Sequence, residues 1–393
     1  MIGHVTGQRA PRAAWPVGAW SSRRRALLAF TISWLALLIG CAPSFSDGFE
    51  RSRAAAIRAY SSGRYVEAAA NWERVAAEAP DRHQKYEALY RAASAYKRGR
   101  RPEQAKATYA RILKEAPKTD RAARAAYDLA DLELEAGDDE AGFKGLERVL
   151  DSYPDSGSAP AALKRCVLWL EDTKGDAAAK AWLTERISRQ QSTALGEHLH
   201  YALAKLLVRM DEPRAALTRY LYVAQRYPYP SGALWDDSLF HASQLEEQLG
   251  NPQRAVEHLE RMLKEREPSS MPGSYERPRY SESQYRIGVL QRDALKQPAA
   301  AIRAFRSLRL EFTTSILRDD AAWQEAKLSA SQGDQAGACQ AMRWLREEIP
   351  DSRYAACGQL LCTQLKPLKR ECRSYIQREL APSQLHQRLE SGP

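Results

Sequence analysis

The sequence predicts an all-α solenoid of about eight helical hairpins, closed by a C-terminal capping helix pair. Three observations predict it. A small residue recurs at Ala68, Ala105, Gly142, Ala179, Ala216, Ala255, Ala301 and Ala338, at steps of 37, 37, 37, 37, 39, 46 and 37 residues. A large apolar residue follows each by four places, at Trp72, Tyr109, Leu146, Leu183, Tyr220, Leu259, Phe305 and Met342. Three places further stands Val75, Ile112, Val149, Val223, Met262, Leu308 or Leu345, with Ile187 one place out of frame. A proline closes the unit at Pro80, Pro117, Pro154, Pro228 and Pro350. Residues spaced by four and seven share one helix face. The small residue lets a neighbouring helix approach, and the large one fills the space that remains. A constant step of this kind marks stacked repeats, each of which buries its apolar stripe only against its neighbours.

Taken in order, the chain opens on residues 1–40, which contain no Asp or Glu. Arg9, Arg12, Arg23, Arg24 and Arg25 precede a fourteen-residue apolar run, Ala26 to Ile39. A bilayer span needs about 20 residues, so the run reads as a signal-peptide core. It ends in Leu38-Ile39-Gly40-Cys41. That ending resembles the lipobox of bacterial lipoproteins, which implies cleavage after Gly40 and lipidation of Cys41. Ala42 at the next position implies sorting to the outer membrane. Stable anchoring takes more than one acyl chain, which a diacylated cysteine provides. Residues 41–50 are then expected to form a lipidated tether, with Pro43 to Gly48 as its polar part.

Repeats one to six are placed at residues 51–266. In the second, helix A runs from Tyr86 to Arg98 and helix B from Pro102 to Glu115. Proline suits the first helical turn because its missing N–H has no partner there anyway. The fourth repeat is the most degenerate, with Gln191 in place of the closing proline, and a weak join is expected there. A Pro-rich loop is placed at 267–280. Over Glu265 to Tyr280 the three prolines and one glycine read as excluding a helix. That stretch is a surface loop between hairpins or, alternatively, a hinge or partner-binding loop. Repeats seven and eight follow at 281–352, and a cysteine-containing cap and tail at 353–393.

The repeat resembles the tetratricopeptide repeat, whose common unit is about 34 residues long. Two units end in Tyr153-Pro-Asp-Ser156 and Ile349-Pro-Asp-Ser352, and a third in Tyr227-Pro228. With the longer step, these endings resemble the repeat lipoprotein of the outer-membrane β-barrel assembly machinery and the cell-division coordinator of the Tol–Pal system. The resemblance covers residues 51 to about 350, and the present chain departs from both families in having about eight units. It implies a groove lined by A helices that holds protein or peptide partners. The groove candidates it implies are Tyr60, Tyr96, Lys97, Asp131, Glu135, Lys205, Arg209 and Gln244.

Of the six cysteines, Cys166 stands in an apolar helix and reads as a small buried residue. Cys339, Cys357, Cys362 and Cys372 crowd the C-terminal end. Export to an oxidising compartment implies one or two disulfides among them, the alternative being four free buried thiols. Cys362 and Cys372 flank Pro367 almost symmetrically, so a helix–turn–helix brings them together and leaves Cys339 for Cys357. Their spacing is not that of a zinc knuckle.

No phosphate loop, GxSxG, HExxH or dinucleotide fingerprint occurs, so neither an enzyme nor a cofactor is expected. His198 and His200 point to different sides of a helix, which makes a poor metal pair and suits a surface or groove role. Asp236-Asp237 and Asp319-Asp320 sit near helix starts, where they complement the macrodipole. The net charge of +10 falls to +5 once the five leader arginines are removed, too mild to argue for nucleic acid. The expected function is a scaffold anchored by its N-terminal lipid to the periplasmic face of the outer membrane. It would bind envelope proteins or peptides and take no small-molecule substrate. The alternative is a non-catalytic accessory of peptidoglycan processing, similar to the superhelix of lytic transglycosylases.

Overall fold

The structure, a computed structural model, describes residues 47–265 and 278–380. The leader, Cys41 and most of the Pro-rich stretch lie outside the described residues. The chain divides into two compact units, Met1–Ala116 and Pro117–Pro393.

The first unit holds α1 (Asp47–Ser61), α2 (Tyr65–Ala77), α3 (Arg82–Arg98) and α4 (Pro102–Glu115), each packed on the next. Asp81 stops α3 from fraying, its carboxylate accepting the Gln84 N–H at 2.8 Å, the usual N-cap device. Helix α1 starts at Asp47. Residues 47–50, assigned above to the tether, are therefore the first turn of the array, and Phe49 is buried there.

In the second unit the hairpins are α5 (Asp120–Glu135) with α6 (Asp139–Ser152), α7 (Ala159–Lys174) with α8 (Asp176–Gln190), and α9 (Leu195–Arg209) with α10 (Pro213–Arg226). Then come α11 (Trp235–Gln248) with α12 (Pro252–Lys264), α13 (Pro278–Asp293) with α14 (Pro298–Glu311), and α15 (Arg318–Ser331) with α16 (Gln335–Glu348). Consecutive helices pack as an α-solenoid. Helix α13 begins at Pro278, inside the stretch read as excluding a helix. Proline is tolerated at that first position, where no intrahelical N–H bond is lost.

The three slots of the repeat form the core. All seven alanines of the small slot are completely buried, and Gly142 is buried too. A Cβ on Gly142 would lie 2.4 Å from the Leu134 side chain, so alanine there would require Leu134 to move. In seven hairpins the residue five before the small slot adopts a positive φ. These residues are Gly63, Arg100, Gly137, Asp211, Gly250, Lys296 and Gly333. A left-handed residue there ends helix A and lets helix B fold back. The fourth hairpin turns instead on Gly175, one place later, which makes its turn shorter.

That hairpin also holds a difference from the sequence reading. The in-frame position of its third slot is Arg186, only 2% exposed, with Ile187 beside it. The guanidinium donates to Asp151 at 2.7 Å, and to Gln190 and Glu147 at 3.3 Å each. The Gln190 amide donates to the Leu150 carbonyl at 2.7 Å, and the Tyr227 hydroxyl to the Gln191 carbonyl at 2.9 Å. Side-chain bonds to both neighbours therefore replace the weak join expected there. Removing one partner of a buried ion pair costs more than replacing the charge with packed apolar volume. Arg186→Ala is expected to lose about 2–4 kcal/mol. Arg186→Met should stay within about 1 kcal/mol, because it refills the slot and leaves Glu147 and Asp151 hydrated. Equilibrium urea unfolding of the two variants measures the difference.

After α16 the chain forms a 3-10 helix at Ala355–Leu360 and a short helix over residues 374–380, in place of the expected pair of capping α-helices. The disulfides join Cys339 to Cys362 and Cys357 to Cys372, with Cα separations of 4.8 and 4.7 Å. This connectivity corrects the pairing proposed above. The segment around Pro367 is not helical, so no helix–turn–helix presents Cys362 to Cys372. The cap packs on the last hairpin instead, where Tyr354 stacks on Trp323 at 4.9 Å and Ile376 is fully buried. Arg346 holds it by donating to the carbonyls of Ala355 at 2.9 Å and Lys366 at 2.7 Å. Cys166 is a buried free thiol, pushed above its usual pKa by burial.

Candidate functional site

The A helices of the second unit are tied to one another by charge pairs. Asp131 of α5 is bound by Arg165 of α7. Arg209 of α9 donates to Glu171 of α7 at 2.9 Å and to Asp176 at 3.3 Å. Arg286 of α13 donates to Glu247 of α11 at 3.0 Å. Two of the groove candidates, Asp131 and Arg209, thus hold neighbouring repeats together. In the first unit, Tyr60 packs edge-on to Tyr65 and lies under the Arg98 guanidinium. Tyr96 has a raised pKa, first through burial and then through its contact with Glu73. Lys97 is half-buried near the end of α3, and Glu135 is exposed at the end of α5.

The aspartate pairs do more than complement helix dipoles. Asp237 pairs with Arg279, and Asp236 accepts the Tyr280 hydroxyl at 3.3 Å. Asp319 accepts the Ser352 hydroxyl at 2.8 Å, and Asp320 the Tyr354 hydroxyl at 2.6 Å. Each pair therefore clasps the chain one hairpin later. His200 also differs from its sequence reading. It is 2% exposed and packs on the Tyr222 ring at 4.2 Å. Burial and then Arg219 hold its pKa at about 4, so it is a neutral core residue rather than a surface one.

Lys205 and Gln244, both exposed, border a cluster that the groove list omitted. Tyr201 of α9, Tyr220 of α10 and His241 of α11 meet there. Tyr220 lies 5.4 Å from Tyr201 and 5.2 Å from His241, and Tyr201 lies 6.1 Å from His241. Phe240 continues the cluster, with the Arg279 guanidinium 4.7 Å above its ring. His241 Nδ1 donates to Gln244 Oε1 at 2.9 Å, which leaves Nε2 as an acceptor. Burial lowers the His241 pKa, and Arg279 and Lys205 lower it further against the opposing pull of Gln244 and Asp237. Burial, then Asp237, pushes the Tyr201 phenol up to about 12, and burial raises Tyr220 as well. At neutral pH the cluster therefore consists of two protonated phenols and an uncharged imidazole beside the Lys205 ammonium. Rigid rings with polar tips provide contact area at little cost in side-chain entropy.

Tyr220 is a core residue, as its slot implies: it is 2% exposed and backs the half-buried Tyr201 and His241. Tyr201 and Phe240 lie about one turn before the late-helix positions chosen for the groove. A signal for them exists: the position fifteen before the small slot is aromatic at Tyr90, Tyr127, Tyr201, Phe240 and Trp323. Among the described residues, no group of three His, Cys, Asp or Glu is placed to hold a metal. No helix there is long and apolar enough to cross a membrane.

No curated protein gives a significant match to the chain. Among solved structures it is similar to a tetratricopeptide repeat protein from Parabacteroides merdae, at 15% identity over 72% of this chain and 99% of that one, with a TM-score of 0.33. It is similar to pilF of Pseudomonas aeruginosa at 16% identity, covering 61% and 98% of the two chains, with a TM-score of 0.36. The C-terminal part of a repeat protein from Cytophaga hutchinsonii is similar at 11% identity, covering 77% and 97%, with a TM-score of 0.39. Two family models described as tetratricopeptide repeat match the sequence itself, one at residues 59–126 and the other at residues 124–156 and 282–315. The stretches at residues 59–156 and 282–315 match the tetratricopeptide repeat, and the other described hairpins keep the same helical frame.

Proposed function

We propose that this protein is a non-catalytic scaffold, lipid-anchored through Cys41 to the periplasmic face of the outer membrane. It holds protein partners of envelope assembly or maintenance against its A helices. The observation that carries the reading is the half-buried pair Tyr201 and His241, backed by the buried Tyr220, beside the exposed Lys205 and Gln244. Tyrosines and arginines dominate the energetics of protein interfaces, and here they stand on helices rather than loops, prepaid in order by the repeat core. The leader and the Gly40-Cys41 junction support the anchor, and the tetratricopeptide repeats support protein or peptide partners rather than a small substrate.

One experiment tests both parts. Native protein, Cys41→Ser and Tyr201→Ala are expressed in a Gram-negative host, crosslinked in the envelope and captured. The native protein is expected in the outer-membrane fraction with membrane-protein partners attached. Cys41→Ser should leave that fraction or remain unprocessed, and Tyr201→Ala should keep the anchor but lose most of the captured protein. A Cys41→Ser chain that is cleaved after Gly40 and still membrane-bound would refute the anchor. Capture of glycan in place of protein would favour the accessory of peptidoglycan processing.

A further inference from the structure

The positive charge of the chain is concentrated in its first unit. Residues 47–116 carry 15 Lys or Arg against 9 Asp or Glu, whereas residues 117–393 carry 39 against 40. The whole surplus left after the leader therefore lies in the unit that follows the proposed anchor. Part of it collects at the edge formed by the first two hairpin turns. There Gly63 to Glu67 and Arg98 to Arg100 line an open depression of about 440 Å3. The turns touch, since a Cβ on Gly99 would lie 3.0 Å from the Val66 side chain. Arg64, Arg98, Arg100 and Arg101 are all exposed, and Val66 beside them is 44% exposed. The surface is accessible as it stands.

The fold has little use for these cations. Basic residues stabilise a helix at its C-terminal end, and Arg98 in the last turn of α3 fits that role. Arg64 and Arg101 do not: they stand at the N-caps of α2 and α4 and make no side-chain cap bond. The helix dipole disfavours positive charge there. Arg100 holds the left-handed position of its turn, with φ 54°, where Gly63, Gly137, Gly250 and Gly333 serve other hairpins. Glycine takes that conformation without the strain an arginine meets. Glu67 answers Arg64 at 2.9 Å, with both side chains more than half exposed. Among the described residues no carboxylate pairs with Arg98, Arg100 or Arg101, and Arg98 lies 5.4 Å from the Tyr60 ring centroid.

We propose that this edge sits on the phosphate headgroups of an anionic bilayer and gives the first unit a second, electrostatic contact with the membrane. The proposal depends on the reading of Cys41 as the anchor, and two lengths agree with it. Six residue steps separate Cys41 from Asp47, a reach of about 20 Å. Helix α1 has 15 residues, a length of about 22 Å. With α1 inclined to the bilayer, the tether lets the acyl chains and the turn edge meet one surface. Guanidinium forks match phosphate oxygens, and Val66 adds an apolar contact at the headgroup layer. Lasting attachment is commonly built from two such signals, a lipid and a basic patch. The contact fixes which side of the first hairpins faces away from the membrane.

The test is sedimentation of the processed chain from Ala42, made without leader or lipid, with vesicles. This chain keeps every described residue. It is expected to bind vesicles of phosphatidylglycerol and phosphatidylcholine in equal parts at low salt, to leave them as salt rises, and to ignore phosphatidylcholine alone. On the mixed vesicles, amide exchange should slow at residues 61–67 and 98–101. Each basic residue near an anionic surface strengthens binding about fivefold, so Arg98→Gln with Arg100→Gln should weaken it about 25-fold. The control is Arg74→Gln with Lys114→Gln. It removes the same charge from exposed residues in the last turns of α2 and α4, at the other end of the hairpins. That control should cost no more than about threefold. Equal losses in the two variants would overturn the proposal, because net charge and not the edge would then be read. Failure to bind the mixed vesicles, or equal binding to phosphatidylcholine, would overturn it too. So would binding of labelled hexaglutamate without binding of vesicles, which would make the edge a site for an acidic protein. The chain used carries no lipid, so failure here leaves the anchor to the Cys41→Ser experiment, and failure there leaves the vesicle result standing.

Discussion

Ala216→Trp is expected to lower the unfolding midpoint of the second unit more than any surface substitution does. Ala216 lies in the small slot of α10 and is completely buried. It belongs to a core shared with Leu203 and Leu207 of α9 and with Ala242 and Leu245 of α11. An indole placed between three helices must push at least one of them away. Overpacking a tight core costs about 1–3 kcal/mol, and more when the added volume is large. In a repeat array each hairpin is stabilised by its nearest neighbours, so the damage should concentrate in residues 195–264. Amide exchange there should rise, while residues 51–116 stay as they are. Ala215→Trp is the control, because Ala215 is exposed and surface changes usually stay within about 0.5 kcal/mol. Equal melting curves for the two variants would mean that the repeat frame is shifted.

Removing the disulfides should loosen the C-terminal end. The bridges span 23 and 15 residues, and their loops interlock, because Cys357 lies between Cys339 and Cys362. A cross-link closing about 15 residues is worth about 3 kcal/mol through the entropy it removes from the unfolded chain. Terminal repeats fray most readily because one side lacks a neighbour. The Cys339–Cys362 bridge fastens the segment after α16 to that helix, and the Cys357–Cys372 bridge closes the segment on itself. Cys357→Ala with Cys372→Ala, or full reduction, should therefore raise amide exchange over residues 334–380 and leave residues 51–150 unchanged. Cys339, Cys357 and Cys362 are buried, so reduction should need partial opening and proceed slowly. Non-reduced peptide mapping of exported protein should recover the Cys339–Cys362 and Cys357–Cys372 pairs. Four alkylatable thiols in that segment would sink this reading.

Not every feature of the site was equally legible. Lys205 and Gln244 came from the expected geometry of A helices, and the structure places both beside the aromatic cluster. Asp131 and Arg209 came from the same argument, yet the structure gives them to inter-repeat ion pairs. A charged residue late in helix A looks the same in sequence whether it meets a partner or the next repeat. The deciding fact is the position of Arg165 or Glu171 one repeat away. Tyr201 and His241 escaped because each fits an ordinary helical pattern on its own helix, and only their convergence over the core residue Tyr220 makes them a cluster.

The amino-acid sequence by itself determined the array over the described residues: the hairpins, their frame and, except for the third slot of the fourth hairpin, the residues that fill each slot. It did so because each hairpin is buried only by its neighbours, so one short pattern of spacings repeats wherever the same contact repeats. The left-handed turn is legible in part: it lies five before the small residue in seven hairpins, and in four of those seven it is a glycine. The tertiary structure alone decided what depends on residues far apart in the chain. It placed Arg186 in a core slot against Glu147 and Asp151, started a helix at Pro278 and crossed the disulfides. None of these follows from local periodicity, because each involves residues some 15 to 44 positions apart in the chain.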